Sequence, residues 1–211
     1  MRTSSFRTMT LVTALATAGL ASASFGAGPA LATTASLGLN DPRAIAISGA
    51  NAFVSNSNSN SVTEFNTTTG ALVRVLSAKS YGFFFPGPIA ISGANAFVAN
   101  GGSLGHSVTE FNTTTGALVR VLSAQSYGFK YPDGIAISGA NAFVSNSEGN
   151  SVTEFNTTTA ALVRVLSAKS YGFNVPSPIA ISGANAFVSN RAGNSITEFN
   201  TVTGNLVKVL R

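Results

Sequence analysis

Short apolar runs separated by polar turns recur along most of this chain. The phrase IAISGANAFV begins at Ile45, Ile89, Ile135 and Ile179, so the copies are 44, 46 and 44 residues apart. A fixed period of this length is typical of a repeat architecture in which each unit packs on its neighbours. The sequence therefore predicts four copies of one structural unit, at about residues 42–85, 86–131, 132–175 and 176–211.

Each unit contains four apolar runs of strand length. In the first unit they cover residues 44–48, 52–55, 61–66 and 72–76. The runs are rich in Val, Ile, Phe and Thr and are bounded by Gly, Asn, Ser or Pro, which favours strands over helices. We expect hairpins between them, with Gly70 in a left-handed bulge position. Ala160 replaces this glycine in the third unit, at a cost of about 1 kcal/mol.

Several of these strands are apolar on both faces, so each small sheet needs cover on both sides. Face-to-face stacking of the sheets supplies that cover. The first and last units are as apolar as the middle ones, whereas a linear stack needs polar ends. The pattern predicts an all-β fold, a β-propeller of four-stranded blades. Two arrangements stay open: a closed four-blade ring, or two chains that share an eight-blade ring.

The linkers between units add to the expectation of a ring. Residues 80–86 form the first linker, and residues 36–42 are a weaker copy of it before the first unit. Four linkers and four units are therefore each present once, as expected for a complete ring.

The first 32 residues predict a removable signal peptide. Arg2 and Arg7 precede an apolar stretch at residues 9–23, and Ala30-Leu31-Ala32 fits a signal peptidase site. The stretch is shorter than the roughly 20 residues that span a bilayer. We therefore expect a secreted, extracellular propeller domain at residues 33–211, with no stable membrane anchor after cleavage.

Residue content and charge exclude several classes of function. The chain has no cysteine, so disulfides and thiolate metal sites are excluded. Without Arg2 and Arg7 the net charge is about +3, and the basic residues are dispersed, which argues against nucleic-acid binding. Within each unit we expect a weak cross-strand ion pair, such as Glu64 with Arg74, worth a few tenths of a kcal/mol.

The second unit carries the motifs of a known repeat group. They read Pro86-x-x-Ile89-Ala90-Ile91, Ala96-Phe97-Val98-Ala99-Asn100, Ser107-Val108-Thr109-Glu110-Phe111 and Thr115-Gly116. In these motifs residues 42–211 resemble the YVTN/NHL-like propeller repeats, related in pattern to the virginiamycin B lyase-like propellers. The resemblance implies a propeller scaffold that binds ligands or partners and, in a minority of relatives, a metal-assisted lyase or hydrolase.

The chain offers little for catalysis. His106 is the single histidine and lies in a loop insertion of the second unit, whereas such a lyase would place several histidines and carboxylates around its channel. Asp133 and Glu148 could jointly meet a cation, but turn-forming or solvated roles are simpler. We predict no catalytic residue, metal site or cofactor. A metal-assisted lyase or hydrolase and a structural or assembly role are the alternatives to a binding function.

Differences between the units point to one variable face. Units one and three differ mostly in the loop between the second and third strands and in the linker into the next unit, which leave a propeller on the same face. Aromatic residues lie there beside Asn- and Ser-rich loops, a combination suited to a sugar or peptide. The predicted partner is an extracellular glycan or protein, and a homodimer is allowed. The candidate ligand-binding residues are Tyr81, Phe84, Phe85, Tyr127, Lys130, Tyr131 and Tyr171.

The three linker tyrosines have a second interpretation. Tyr81, Tyr127 and Tyr171 recur at equivalent positions, so they could instead wedge between adjacent blades.

Overall fold

The computed structural model describes residues 36–102, 104–123 and 125–211. The predicted signal peptide at residues 1–32 lies outside the described residues. Within them the chain forms four antiparallel sheets of four strands each, in chain order. No helix in this part of the chain is long and apolar enough to cross a membrane.

Each sheet is one blade. The first contains β1 Pro42–Ser48, β2 Asn51–Asn56, β3 Ser61–Asn66 and β4 Leu72–Leu76. The second contains β5 Pro86–Ser92, β6 Asn95–Asn100, β7 Ser107–Asn112 and β8 Leu118–Leu122. The third contains β9 Pro132–Ser138, β10 Asn141–Asn146, β11 Ser151–Asn156 and β12 Leu162–Leu166. The fourth contains β13 Pro176–Ser182, β14 Asn185–Asn190, β15 Ser195–Asn200 and β16 Leu206–Leu210.

Short 3₁₀ turns lie in the linkers between blades, at Lys79–Tyr81, Gln125–Tyr127 and Lys169–Tyr171. The sequence did not reveal them, because three residues are too few to show a helical period.

The last hairpin of each blade has the predicted bulge. In the first blade the register shifts between Glu64 and Phe65, and Gly70 has a φ of 69°. Ala160 takes the same left-handed conformation in the third blade, with a φ of 62°. The third blade therefore holds an alanine where the backbone favours glycine.

Turns and loops separate to the two ends of each blade. The Thr67 N–H donates to the Ala50 carbonyl at 2.8 Å, which joins the β1–β2 and β3–β4 turns at one end. At the other end, the Ser57 N–H donates to the Asp41 carbonyl at 2.9 Å, which ties the β2–β3 loop to the linker. The variable loops and the linkers therefore lie together, as predicted.

The core lies between successive blades. Three clusters of buried apolar side chains fill the three spaces between the four blades. In the first space, Phe53 and Val62 of the first blade share a cluster with Ala96, Val98 and Phe111 of the second. The inner strands β1, β5, β9 and β13 contact one another in that order. Stacking of the blades thus buries the strand faces that the sequence showed to be apolar on both sides.

The outward faces of the first and fourth blades lack this cover. Ile45 and Ile47 of β1 are 58% and 63% exposed, whereas Ile89, the equivalent of Ile45 in the second blade, is 9% exposed. On the fourth blade Ile196 is 42% exposed, whereas its equivalent Val62 is fully buried. Both ends of the stack therefore present apolar strand faces to solvent.

The predicted cross-strand ion pairs are present, and their carboxylates are buried. Arg74 Nε lies 2.7 Å from Glu64 Oε2, in the predicted register, and Glu64 is fully buried. Asn51 donates to the other oxygen of Glu64 at 2.6 Å, and Arg74 Nη2 donates to the Thr114 carbonyl of the second blade at 3.0 Å. The predicted pairing and register are confirmed, the carboxylate faces the interior, and the arginine also bonds to the next blade. The pair recurs as Glu110–Arg120, Glu154–Arg164 and Glu198–Lys208.

Candidate functional site

A cleft of about 340 Å³ opens where the inner strands begin, at the end of the blades that carries the linkers. All four blades contribute to it. We call it the central cleft; its walls are Arg43, Ser57, Phe85, Gly87, Pro88, Gly101, Tyr131, Pro132, Asp133, Ser177 and Pro178.

Two aromatic rings line the central cleft, and each belongs to the residue just before an inner strand. Phe85 and Tyr131 have φ angles of 46° and 51°, a left-handed conformation that is uncommon for bulky residues. Their carbonyls accept hydrogen bonds from the N–H groups of Gly101 at 3.2 Å and Ser147 at 3.0 Å. Phe85 is 46% exposed and Tyr131 is 37% exposed. Asp41 and Val175 have the same left-handed conformation at the equivalent positions, so it belongs to the repeat, and at Phe85 and Tyr131 it accompanies rings that are open to solvent.

Charged and hydroxyl groups at the start of the inner strands line the same cleft. Arg43 Nη2 lies 2.9 Å from Asp41 Oδ2, and the Arg43 side chain remains mostly exposed. The Ser177 hydroxyl donates to Asp133 Oδ2 at 2.8 Å. The central cleft thus combines aromatic faces with a cation, a carboxylate and hydroxyl groups.

Two further clefts contain charged residues, and only the third shares wall residues with the central cleft. The second, of about 490 Å³, contains His106, Lys130 and Glu148. The third, of about 560 Å³, brings Glu148 together with Asp133 and Arg191. Asp133 and Glu148 therefore do line one cleft, the arrangement that the sequence offered for a cation. Within the described segments, however, no group of three or more His, Cys, Asp or Glu side chains could hold a metal ion.

His106 has a structural partner in the next linker. Its Nδ1 accepts a hydrogen bond from the Tyr131 N–H at 3.3 Å. At the equivalent positions of the first and third blades, Asn60 and Asn150 accept from the following linker at 2.8 Å. His106 therefore takes the place of an asparagine that connects a loop to a linker.

The three predicted linker tyrosines lie against the spaces between blades. The Tyr81 hydroxyl donates to the Gly116 carbonyl of the next blade at 2.5 Å, and its ring stacks on Phe83 with centroids 5.2 Å apart. Tyr127 and Tyr171 make the same two contacts in their own linkers. These are the packing contacts of the second interpretation, and ligand binding by the tyrosines stays a prediction.

The other predicted residues divide between two clefts. Phe85 and Tyr131 line the central cleft, and Lys130 lines the second. Phe84 is half-buried and packs edge-on against Phe85, with centroids 5.1 Å apart, so it supports that ring.

Nine of the eleven wall residues were missing from the predicted ligand-binding site, among them Arg43, Asp133 and Ser177. The signal for Arg43 was available, since Arg43 and Asp133 occupy equivalent positions in units one and three and carry opposite charge. Ser177 gave no such signal, because serines are abundant throughout the chain.

No protein-family model matches the chain, and no curated protein sequence matches it. Similar solved structures include the computationally designed Ika4 protein, with 12% identity and a TM-score of 0.61 over 76% of this chain and 91% of that chain. Hydrazine synthase of Kuenenia stuttgartiensis has 21% identity and a TM-score of 0.68 over 87% of this chain and 52% of that chain. The RRP9 WD40 repeats have 11% identity and a TM-score of 0.68 over 82% of this chain and 52% of that chain.

At these identities the similarity shows the fold alone. The chain spans about half the length of the hydrazine synthase and RRP9 chains. Its four sheets of four antiparallel strands and these neighbours define the class: the chain is a β-propeller repeat protein with four blades.

Proposed function

We propose that this chain is a secreted, non-catalytic scaffold of the YVTN/NHL-like propeller group that binds an extracellular glycan in the central cleft. Support for export comes from the basic and apolar pattern of residues 1–32, and support for the group comes from the repeated Ser-Val-Thr-Glu-Phe motif. The observation that carries the proposal is the pair of exposed rings, Phe85 and Tyr131, held beside Arg43 and Asp133.

The chemistry of these walls suits a sugar. A sugar ring has an apolar face and an edge of hydroxyl groups, so it is bound by an aromatic face together with a few polar groups. Phe85 and Tyr131 offer the aromatic faces, and Tyr131 adds a phenolic hydroxyl. Arg43 supplies donors and Asp133 supplies acceptors. Sites for small ligands combine apolar surface with a few polar groups, and the walls of the central cleft are polar and apolar in similar proportion.

The size of the central cleft favours a glycan over a protein ligand. Pockets for small ligands measure about 300–1,000 Å³, and the volume of about 340 Å³ lies at the lower end of that range. A stable protein interface instead buries about 1,200–2,000 Å² over a broad surface. We therefore assign the cleft to one or two sugar residues of a longer chain.

The proposal includes no catalytic step. General acid–base chemistry needs a side chain positioned at the reacting bond, and Asp133 already accepts the Ser177 hydroxyl in the central cleft. His106 lies in the second cleft with its Nδ1 bonded to the Tyr131 N–H. Binding without turnover is the function that this arrangement supports.

A glycan array tests the proposal. The purified protein is expected to bind a defined set of glycans, and the double variant Phe85→Ala/Tyr131→Ala is expected to bind them at least tenfold more weakly. The matched control is Val202→Ala, which removes an exposed apolar side chain from the β15–β16 turn, at the opposite end of the fourth blade.

Three outcomes would contradict the proposal. The first is no binding to any glycan, and the second is unchanged affinity in the double variant. The third is hydrolysis or elimination of a bound glycan, which would show an enzyme.

A further inference from the structure

We propose that two copies of this chain assemble head to tail into one eight-blade ring, with the fourth blade of each copy seated on the first blade of the other. We call the outward face of the first blade, with Ile45, Ile47 and Phe65, the leading face. The outward face of the fourth blade, with Phe187, Ile196 and Leu210, is the trailing face.

The phenylalanine pairs at the internal interfaces indicate which contact each outward face would make. Between the first and second blades, the rings of Phe53 and Phe111 lie 5.6 Å apart. The equivalent pairs at the other two internal interfaces lie 5.9 and 5.8 Å apart. Phe187 occupies the position of Phe53 on the trailing face, and Phe65 occupies the position of Phe111 on the leading face. Both are only half-buried, whereas all six paired rings are fully buried.

A pair of hydroxyl groups, one from each blade, also crosses every internal interface at the end of the blades that carries the turns. Ser48 Oγ lies 3.3 Å from Thr113 Oγ1 across the first interface, and equivalent pairs cross the other two at 3.2 and 3.4 Å. The unmatched members are Ser182 in the fourth blade and Thr67 in the first. Thr67 is exposed, whereas Thr113 is 6% exposed. One fourth interface with the same geometry would complete this set of contacts.

Both faces also have apolar recesses for a partner. On the leading face, Leu37, Leu39 and Phe65 line a cleft of about 370 Å³ whose exposed surface is almost entirely apolar. Leu37 and Leu39 occupy the linker positions that tyrosine and phenylalanine hold at the internal interfaces. On the trailing face, Ile196 and Leu210 line a cleft of about 300 Å³. Burial of such surfaces is the main favourable term in association.

The turn glycines of the first, second and fourth blades differ in whether a preceding blade lies against them. A Cβ at Gly116 or Gly204 would meet the end of the arginine side chain of the preceding blade, Arg74 or Arg164. At Gly70, the equivalent position of the first blade, nothing lies within 4 Å. Gly70 thus leaves open the space that a basic side chain fills elsewhere, and Lys208 of a second copy fits that space.

A second copy of the chain would cover both the leading and the trailing face. The leading and trailing faces differ from each other, so their contact is heterologous, and such contacts form a ring when the rotations close. Two copies with two such contacts give eight blades, which lies within the range of four to eight found in propellers.

Sedimentation velocity with a pair of complementary variants tests this assembly. The purified protein is expected to sediment as a dimer at micromolar concentration. Ile47→Lys on the leading face and Ile196→Glu on the trailing face are each expected to sediment as monomers. An equal mixture of the two is expected to recover the dimer, because one interface is then unchanged and the other pairs lysine with glutamate. Val202→Lys, which adds a charge outside both faces, is the control and is expected to remain dimeric.

Several results would overturn the proposal. They are a monomeric parent protein, dimeric single variants, a mixture that stays monomeric, or a parent assembly of three or more copies. Circular dichroism checks that each variant is folded. If one unfolds, Ile47→Thr and Ile196→Thr replace the charged pair, and each must weaken the dimer at least tenfold.

Discussion

The rings of Phe53 and Phe111 meet across the first blade interface with centroids 5.6 Å apart and planes tilted by 52°. The second and third blades each supply one such ring to the blade before and another to the blade after, whereas the first and fourth blades each supply one. The stability of the stack therefore depends on the same contact made three times within the chain.

Truncation of one ring should be costly only where the ring is paired. In the monomeric Ile47→Lys background, Phe111→Ala is expected to lower the free energy of unfolding by about 3–5 kcal/mol, because it leaves a cavity between two blades. Phe65→Ala, at the same position of the first blade, should cost roughly 1 kcal/mol, since its ring is half-exposed. Urea unfolding measures both values, and equal losses would contradict this account of the interfaces.

Removal of the basic residue of the ion pair should lower stability more in the second blade than in the fourth. Glu110 is fully buried with Arg120 Nε 2.8 Å away, so Arg120→Ala leaves a buried carboxylate without its cation and should cost about 1–3 kcal/mol. In the fourth blade Lys208 is 56% exposed and lies 3.3 Å from Glu198, so Lys208→Ala should cost less than about 1 kcal/mol. Chemical denaturation of the Ile47→Lys background compares the two, and a larger loss for Lys208→Ala would refute the argument.

Replacement of Ala160, in the last hairpin of the third blade, by glycine should increase stability. Ala160 has a φ of 62°, which glycine adopts without strain, so Ala160→Gly is expected to raise the free energy of unfolding by about 0.5–1 kcal/mol. Ala161→Gly is the matched control. Ala161 lies outside the left-handed region, so its replacement should lower stability by about 0.5–1 kcal/mol. A loss of stability in both variants would show that the backbone strain is negligible.

Two buried glutamates should make stability depend on pH. Burial raises the pKa of Glu110 and of Glu154, and the nearby arginines and asparagines oppose this shift only in part. The folded protein therefore binds protons on these groups more readily than the unfolded chain does. Their contribution to stability is present below the ordinary glutamate pKa and is lost as the pH rises through the raised pKa.

The double variant Glu110→Gln/Glu154→Gln removes these two titrations. Its stability relative to the parent should therefore increase as the pH rises from about 4 through the raised pKa values, and then level off. Each single variant should show part of the effect. Thermal unfolding across this pH range measures the difference, and a constant or falling difference would exclude the raised pKa values.

The repeat made most of the fold predictable. Four copies of one phrase fixed the number of blades, and the turn residues around Gly70 placed the hairpins close to their observed positions. Burial was harder to predict, because it depends on the neighbouring blade. The sequence pairs Glu64 with Arg74 but does not show that Glu64 is buried or that Arg74 also bonds to the second blade.

The repeated sequence also does not show whether a unit lies at the end of the stack or inside it. Ile45 and Ile89 begin the same phrase, yet only Ile89 has a blade in front of it. The same limit applies to the candidate site. Phe85 and Tyr131 were predicted from differences between units, whereas Ser177 joins the central cleft only through the arrangement of the four inner strands.

Cysteine cross-linking tests most directly whether the leading and trailing faces pair as the internal faces do. The parent chain has no cysteine, so Ser182→Cys/Thr67→Cys adds the only two, at the positions equivalent to Ser48 and Thr113. The positive control is Ser48→Cys/Thr113→Cys, whose hydroxyls lie 3.3 Å apart within one chain. After mild oxidation, the account predicts a covalent dimer for the first pair and an internally linked monomer for the control. Free thiols, or an internal link in Ser182→Cys/Thr67→Cys, would contradict the shared eight-blade ring.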